Sequence, residues 1–333
     1  MATPEATERF DKDTHNDFCD LRISSVGLGT YLGDADDATD AAYVDALSAA
    51  FENGCNVVDT AINYRHQRSE RAVGEALDAA AVDREEVFIA TKGGYIPFDG
   101  GVPEDPSGYI RRNYVETGIV PPEETVQANC LAPEFLREQV SNSLENLGLD
   151  TVDLYYVHNP ETHLREASRE EFEGRLRRAF EALEEEVKAG HIDAYGVATW
   201  NGFRVPETRD EHLSMERVSE IARHAAGGKS SLEAVQLPYN ARMRGAATDE
   251  TQTVYGGSYT PLEAARELGL YVFASASLMQ GKLADERVEG VPSEGTPAQG
   301  ALEYARSTNG VGTALVGCSS REHVEENLSV LRG

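Results

Sequence analysis

The chain has 333 residues, 40% of them hydrophobic, and a net charge of −28 from 58 acidic and 30 basic residues. That length and apolar content suffice for a large core, and a single α/β barrel of this size is ordinary. The acids are spread along the whole chain, so nucleic acid and anionic membranes are excluded as expected partners.

A chain this self-repelling gains from salt screening, which points to a high-salt cytoplasm. The cysteines, Cys19, Cys55, Cys130 and Cys318, form no C-x-x-C pair and read as reduced thiols of an intracellular protein. The polar N-terminus is unlike a signal peptide, and no apolar run approaches the roughly 20 residues that span a bilayer. A cytoplasmic protein is therefore expected.

In chain order, residues 21–33 read as a strand and 41–51 as a helix, then 55–61 as a strand and 70–80 as a helix. Strand 87–92 is followed by a stretch, 93–132, rich in glycine, proline and aromatics, before helix 133–147 with proline at its start. Strand 152–157 leads to a long charged amphipathic helix, 170–189, ended by Gly190. Strand and helix then alternate as 194–198 and 214–225, 234–237 and 261–268, 270–276 and 297–306, 312–316 and 321–331.

Strict βα alternation predicts parallel strands joined by helical crossovers. Eight such units predict a closed (β/α)8 TIM barrel, one domain over 1–333 with 1–20 as a polar N-terminal extension. The segment 93–132 is too long for an ordinary βα connection. It follows the third strand, so it would overhang the barrel mouth as a substrate-shaping lid carrying Tyr95, Phe98, Tyr109 and Tyr114.

Three consecutive strands end in polar residues: Asp59, Lys92 and His158, with Tyr64 just beyond the first. A lone buried charge is costly, so Asp59 needs a partner, and Lys92 on the next strand is available. Barrels place active sites at the C-terminal strand ends, where these residues fall. Two decoys are set aside. Gly27-x-Gly29-x-x-x-Gly33 resembles a dinucleotide fingerprint, but acids follow it where a helix should open. His158 and His163 have no third ligand at metal spacing, so no metal is expected.

The ordered motifs resemble the aldo-keto reductase superfamily. They are Gly27-Leu28-Gly29-Thr30-Tyr31; Asp59-Thr60-Ala61 with Tyr64 and Ser69-Glu70; Thr91-Lys92; Leu154 to Pro160; Tyr195-Gly196-Val197; Val235-Gln236; Val316-Gly317; and His323 to Asn327. The resemblance implies hydride transfer between a nicotinamide and a small carbonyl or alcohol (aldehyde, ketone or sugar), with Asp59, Tyr64, Lys92 and His158 as catalytic tetrad. Tyr64 would be the general acid/base. A free phenol titrates near pH 10, and the Lys92 ammonium is expected to lower that value. His158 would orient and polarise the carbonyl.

For the cofactor, the resemblance implies contacts from Gly29, Thr30, Tyr31, Asp59, Thr199, Gln236 and Ser275. The usual Ser-Asn pair is replaced by Ala198-Thr199, followed by Trp200, and the usual ring-stacking tyrosine falls at Ser275. The pyrophosphate would lie along Ala276, Leu278 and Gln280. Gly317, Cys318, Ser319, His323, Glu326 and Asn327 would hold the adenosine end, where Arg321 is the unambiguous base. NADP is the implied cofactor, with NAD as the alternative. Two rival readings are a Schiff-base lyase using Lys92 and a cofactor-binding regulatory subunit with little turnover.

Overall fold

The computed structural model describes residues 1–10 and 14–331; residues 11–13 of the N-terminal extension and residues 332–333 lie outside the described residues. Eight parallel strands close into a barrel: β1 (Val26–Gly29), β2 (Val57–Asp59), β3 (Phe88–Gly93), β4 (Val152–His158), β5 (Ile192–Ala198), β6 (Leu232–Pro238), β7 (Tyr271–Ser275) and β8 (Thr313–Gly317). Strand order follows chain order. The barrel closes where β8 pairs with β1, Val316 opposite Leu28 and Gly317 opposite Gly29. Around it lie α1 (Asp37–Glu52), α2 (Arg68–Ala79), α3 (Pro133–Leu147), α4 (Arg169–Ala189), α5 (Met215–Ala226), α6 (Pro261–Leu268), α7 (Pro297–Arg306) and α8 (Arg321–Asn327). This is the (β/α)8 TIM barrel expected from the sequence.

The helix ends are set by side chains. Proline opens α3, α6 and α7, where its missing N–H is not needed. Ser168 and Glu171 form a reciprocal capping box on α4, and Gly190 ends it with φ 83°. The buried face of α4 carries Phe172, Leu176, Phe180 and Leu183 at helical spacing. They join Tyr195 and Val197 of β5 in one apolar cluster. Burying one such side chain contributes roughly 1.5–3 kcal/mol.

The strand expected at 21–33 is divided. Leu21–Ser24 pairs antiparallel with His15–Phe18, and only Val26–Gly29 enters the barrel. Asn56 enforces the break: its Oδ1 accepts from Ser24 N at 2.8 Å and its Nδ2 donates to Arg22 O at 3.0 Å. The hairpin plugs the barrel end remote from Lys92. Phe18 lies 4.9 Å from Phe88 and 5.3 Å from Tyr271, ring to ring.

The long β3–α3 connection has structure of its own. Pro106–Ile110 forms a short helix, and Thr125–Val126 pairs with Asn129–Cys130. Ile96, Tyr114, Val120, Cys130, Ala132 and Phe135 form a separate small core beneath it.

Candidate active site

The barrel's shear raises the polar groups in steps. Asp59 lies opposite Ala90 on β3, and Lys92 is two residues further along the same inward face. Lys92 in turn lies opposite Tyr156, and His158 is two residues beyond that. Thr91, between the inward positions, points out and donates to the buried carboxylate of Glu70 at 2.6 Å. Three inward side chains therefore meet at the C-terminal rim.

Tyr64 reaches the rim through a strained turn. Arg65, His66 and Gln67 have φ of 45°, 58° and 74°, three successive non-glycine residues in the left-handed region. Each costs roughly 1–2 kcal/mol unless its surroundings impose it. The turn is clamped: Arg65 Nε donates to Ser69 Oγ at 3.1 Å and Nη1 to Asp40 Oδ1 at 2.5 Å, while Gln67 Nε2 donates to Phe98 O at 2.9 Å. Such strain persists only where the surroundings over-determine it, and these bonds hold it at the edge of the cleft that Tyr64 lines.

The four side chains converge. Lys92 Nζ donates to Asp59 Oδ1 at 2.6 Å and to Thr60 O at 2.8 Å, and Gln236 Nε2 donates to Asp59 Oδ2 at 2.7 Å. The same ammonium sits 4.8 Å from the Tyr64 ring centroid. The His158 ring lies 6.0 Å from the Tyr64 ring and 5.2 Å from Tyr95, with both contacts edge-on. Lys92 is fully buried and Asp59 is 5% exposed.

Burial pulls Lys92 down, but Asp59 and then Tyr64 more than offset it, so its value is raised and it stays an ammonium. Burial pushes the Tyr64 phenol above its ordinary 10, and Lys92 opposes this only in part. The expected lowering is thereby corrected. Desolvation outweighs the neighbouring ammonium, and Tyr64 is a protonated phenol at neutral pH. Burial lowers His158 to about 3, so its imidazole is neutral. Its Nδ1 is buried without a partner. A proton there would be an unsatisfied donor, which assigns the proton to Nε2.

These groups open onto a cavity of about 460 Å³. Of the positions expected to hold a cofactor, Gly29, Tyr31, Asp59, Thr199, Gln236, Ser275, Ala276, Leu278, Gln280 and Gly317 line it. Thr30 does not: it is buried behind the rim, with its hydroxyl on Thr60. Cys318, Ser319, His323, Glu326 and Asn327 also lie off the cavity. Cys318 turns into the core and accepts from Asn327 Nδ2 at 3.1 Å, and Ser320 Oγ caps α8 by accepting from His323 N at 3.3 Å.

Among the four aromatics expected on the lid, only Tyr95 lines the cavity. Tyr114 donates to Pro97 O, and Phe98 packs edge-on against Tyr109. Their rings are taken up by the loop's own packing. The sequence reading missed Asn63, Asn159 and Gly281 on the lining, and also Glu161. Glu161 Oε1 accepts from the N–H groups of Trp200, Asn201 and Gly202 at 3.0, 3.3 and 3.5 Å. It thereby pins the loop that carries Trp200. The available signal was position: Asn63 precedes Tyr64, Asn159 follows a strand end, and Glu161 follows Asn-Pro.

The sequence profile described as the Aldo/keto reductase family matches residues 25–247. An aldo-keto reductase of Mycobacterium avium is 24% identical over 286 residues, covering 86% of this chain and 74% of that protein. The NADH-specific methylglyoxal reductase of Escherichia coli is 32% identical over 147 residues, covering 42% of this chain and 39% of that protein. An aldo-keto reductase of Klebsiella pneumoniae, solved in complex with NADPH, superposes with a TM-score of 0.63 at 22% identity, covering 94% of this chain and 87% of that one. The profile spans β1 to β6 and so takes in Asp59, Lys92, His158 and Gln236 on the barrel strands and Tyr64 on the turn after β2. On that match the chain belongs to the aldo/keto reductase family.

Proposed function

We propose that this chain is an NAD(P)H-dependent carbonyl reductase, or in reverse an alcohol dehydrogenase, acting on small aldehydes, ketones or sugars. One observation carries the reading: a buried ammonium stands between Asp59 and the phenol of Tyr64, with neutral His158 across the same cavity. A nicotinamide dinucleotide supplies or accepts the hydride when bound, and the cleft suits one. Thr199 Oγ1 is buried without a partner at the end of β5, beside Gln236. Thr199 and Gln236 would hold the carboxamide, and Ala276, Leu278 and Gln280 would lie along the phosphates. NADP is the proposed cofactor and NAD the alternative. Arg321 is already engaged by Asp45 and Glu52, at 3.0 and 2.8 Å.

Reduction leaves negative charge on the carbonyl oxygen. Tyr64 donates its proton to that oxygen, and the phenolate left behind faces the Lys92 ammonium. Asp59 and Gln236 keep the ammonium charged and placed. His158 donates from Nε2 to the same oxygen and orients it before transfer. In oxidation the phenolate takes the alcohol proton. The raised value of Lys92 opposes the Schiff-base reading, because an ammonium has no lone pair to attack a carbonyl.

The high acid content and four unpaired cysteines support a salt-rich, reducing cytoplasm. Among the described residues no helix is long and apolar enough to cross a membrane. The test of the main reading is NADPH and NADH oxidation over a panel of aldehydes, ketones and sugars, wild type against Tyr64→Phe. Loss of the acid is expected to cut kcat about a thousandfold. Equal rates would remove the mechanism.

A further inference from the structure

Glu161 lies three residues beyond His158, at the exit of β4, and is 7% exposed. Its Oε1 gathers three backbone N–H groups from the exit of β5, those of Trp200, Asn201 and Gly202. One oxygen therefore ties the strand end that carries His158 to the turn that follows Thr199. Its Oε2 is buried without a partner. Burial pushes the carboxyl above its ordinary 4.5, and the backbone N–H groups oppose this only in part. A buried acid with one orphan oxygen is costly, and packing alone does not call for it.

The turn that Glu161 holds is fixed from several sides. The carbonyl of Trp200 accepts from Arg204 Nε and Nη2 at 3.2 and 2.8 Å, so both ends of this residue are clamped. Gly202 brings the chain back against Thr199: a Cβ added to it would stand 3.3 Å from Thr199 Cγ2 and 2.9 Å from Leu213 Cγ. Thr199 N in turn donates to Gln236 O on β6 at 2.9 Å. Thr199 and Trp200 both line the cavity. A turn ordered before a ligand arrives need not be ordered when it binds, which strengthens binding.

From this convergence of three amides on one buried oxygen, and resting on the reductase reading above, we infer that Glu161 is a positioning residue. It holds Thr199 and Trp200 in place for the nicotinamide and the carbonyl compound to bind, and it takes no part in hydride or proton transfer.

Trp200 is the sole tryptophan of the chain, so its emission reports on the turn without turnover. Glu161→Ala removes the acceptor, whereas Glu161→Gln keeps an oxygen at the same reach. In the ligand-free protein, acrylamide quenching of the emission is expected to rise about twofold in Glu161→Ala, as the turn loses its anchor, and to stay near wild type in Glu161→Gln. With methyl 4-formylbenzoate as the carbonyl compound, the KM values for NADPH and for the aldehyde are expected to rise about tenfold in Glu161→Ala, with kcat within about twofold of wild type. Glu161→Gln is expected to recover most of that loss. Glu161 acting on the fold alone would lower the urea midpoint and leave both KM values and the quenching at wild-type levels. That result would overturn the inference, as would a collapse of kcat with both KM values kept. Glu161→Asp keeps the charge and withdraws the oxygen by one methylene; should Glu161→Ala not fold, Glu161→Asp decides by the same readouts in the same directions. No turnover in wild type would count against the reductase reading instead. Acrylamide quenching then decides by itself: a rise upholds the role of Glu161 in fixing the turn, and no change overturns it.

Discussion

The floor and the outer wall of the cavity follow opposite plans. On the floor, Asp59, Lys92 and Gln236 are buried and tied to one another by hydrogen bonds of 2.6–2.7 Å. On the wall, Tyr31 and Trp200 stand half out in solvent. The floor rests on strand ends inside the barrel, whereas the wall sits on connections, the Trp200 loop being pinned by Glu161. On the proposed function, the floor would carry the reaction chemistry and the wall the substrate contacts, and each could be altered with a different cost.

Breaking the floor should have the largest effect on stability. Lys92→Met leaves the Asp59 carboxylate buried without its counter-charge, a loss of about 3–5 kcal/mol. Urea unfolding should show it, and Asp59→Asn added to Lys92→Met should restore much of the loss. Recovery would sharpen the view of the floor as a charge pair; a double variant as unstable as the single one would break it.

A second test reaches the support behind His158. His163 is fully buried; Arg175 donates to its Nδ1 at 3.0 Å, and its Nε2 donates to Asn129 Oδ1 at 3.0 Å. Burial first, and then Arg175, lower it from 6.5 to about 4. Between those values the unfolded chain binds a proton that the folded one refuses, so stability falls as pH falls from 6.5 towards 4. His163→Gln removes that contribution. Between pH 7.5 and 4.5 it should lose about 2–3 kcal/mol less stability than wild type. Parallel losses in the two proteins would show that His163 does not set the slope.

The wall should give the smallest effect. Trp200→Ala is expected to change stability by about 0.5 kcal/mol or less, as for most exposed positions. Its mark should be a several-fold rise in KM for ring-bearing carbonyls with kcat nearly kept. A collapse of kcat would place Trp200 with the floor.

The same contrast governs what could be read from sequence. The helices Pro133–Leu147, Pro261–Leu268 and Pro297–Arg306 were legible to the residue, because proline at the start and the end of the apolar spacing are local signals. Asp59, Lys92 and His158 were legible because a polar residue that closes an apolar strand has to meet a partner, a ligand or water at the strand's end. The break at Ser25 was not, since it depends on the side chain of Asn56, about thirty residues away in sequence. The packing of Tyr109 and Tyr114 into the loop's own core, with Phe98 edge-on against Tyr109, was equally hidden: an aromatic-rich stretch reads the same whether its rings face a ligand or one another. The direction of the Tyr64 shift depended on the balance between desolvation by its surroundings and the Lys92 ammonium, which no motif records.

The central claim is that a hydride passes from nicotinamide to a carbonyl carbon beside Tyr64. Turnover of methyl 4-formylbenzoate with NADPH deuterated at the transferable C4 position, read by mass spectrometry of the product, tests it most directly. Hydride transfer requires one deuterium on the carbinol carbon of the alcohol. An alcohol free of deuterium, or borohydride trapping of the substrate on Lys92 without need of nicotinamide, would contradict it.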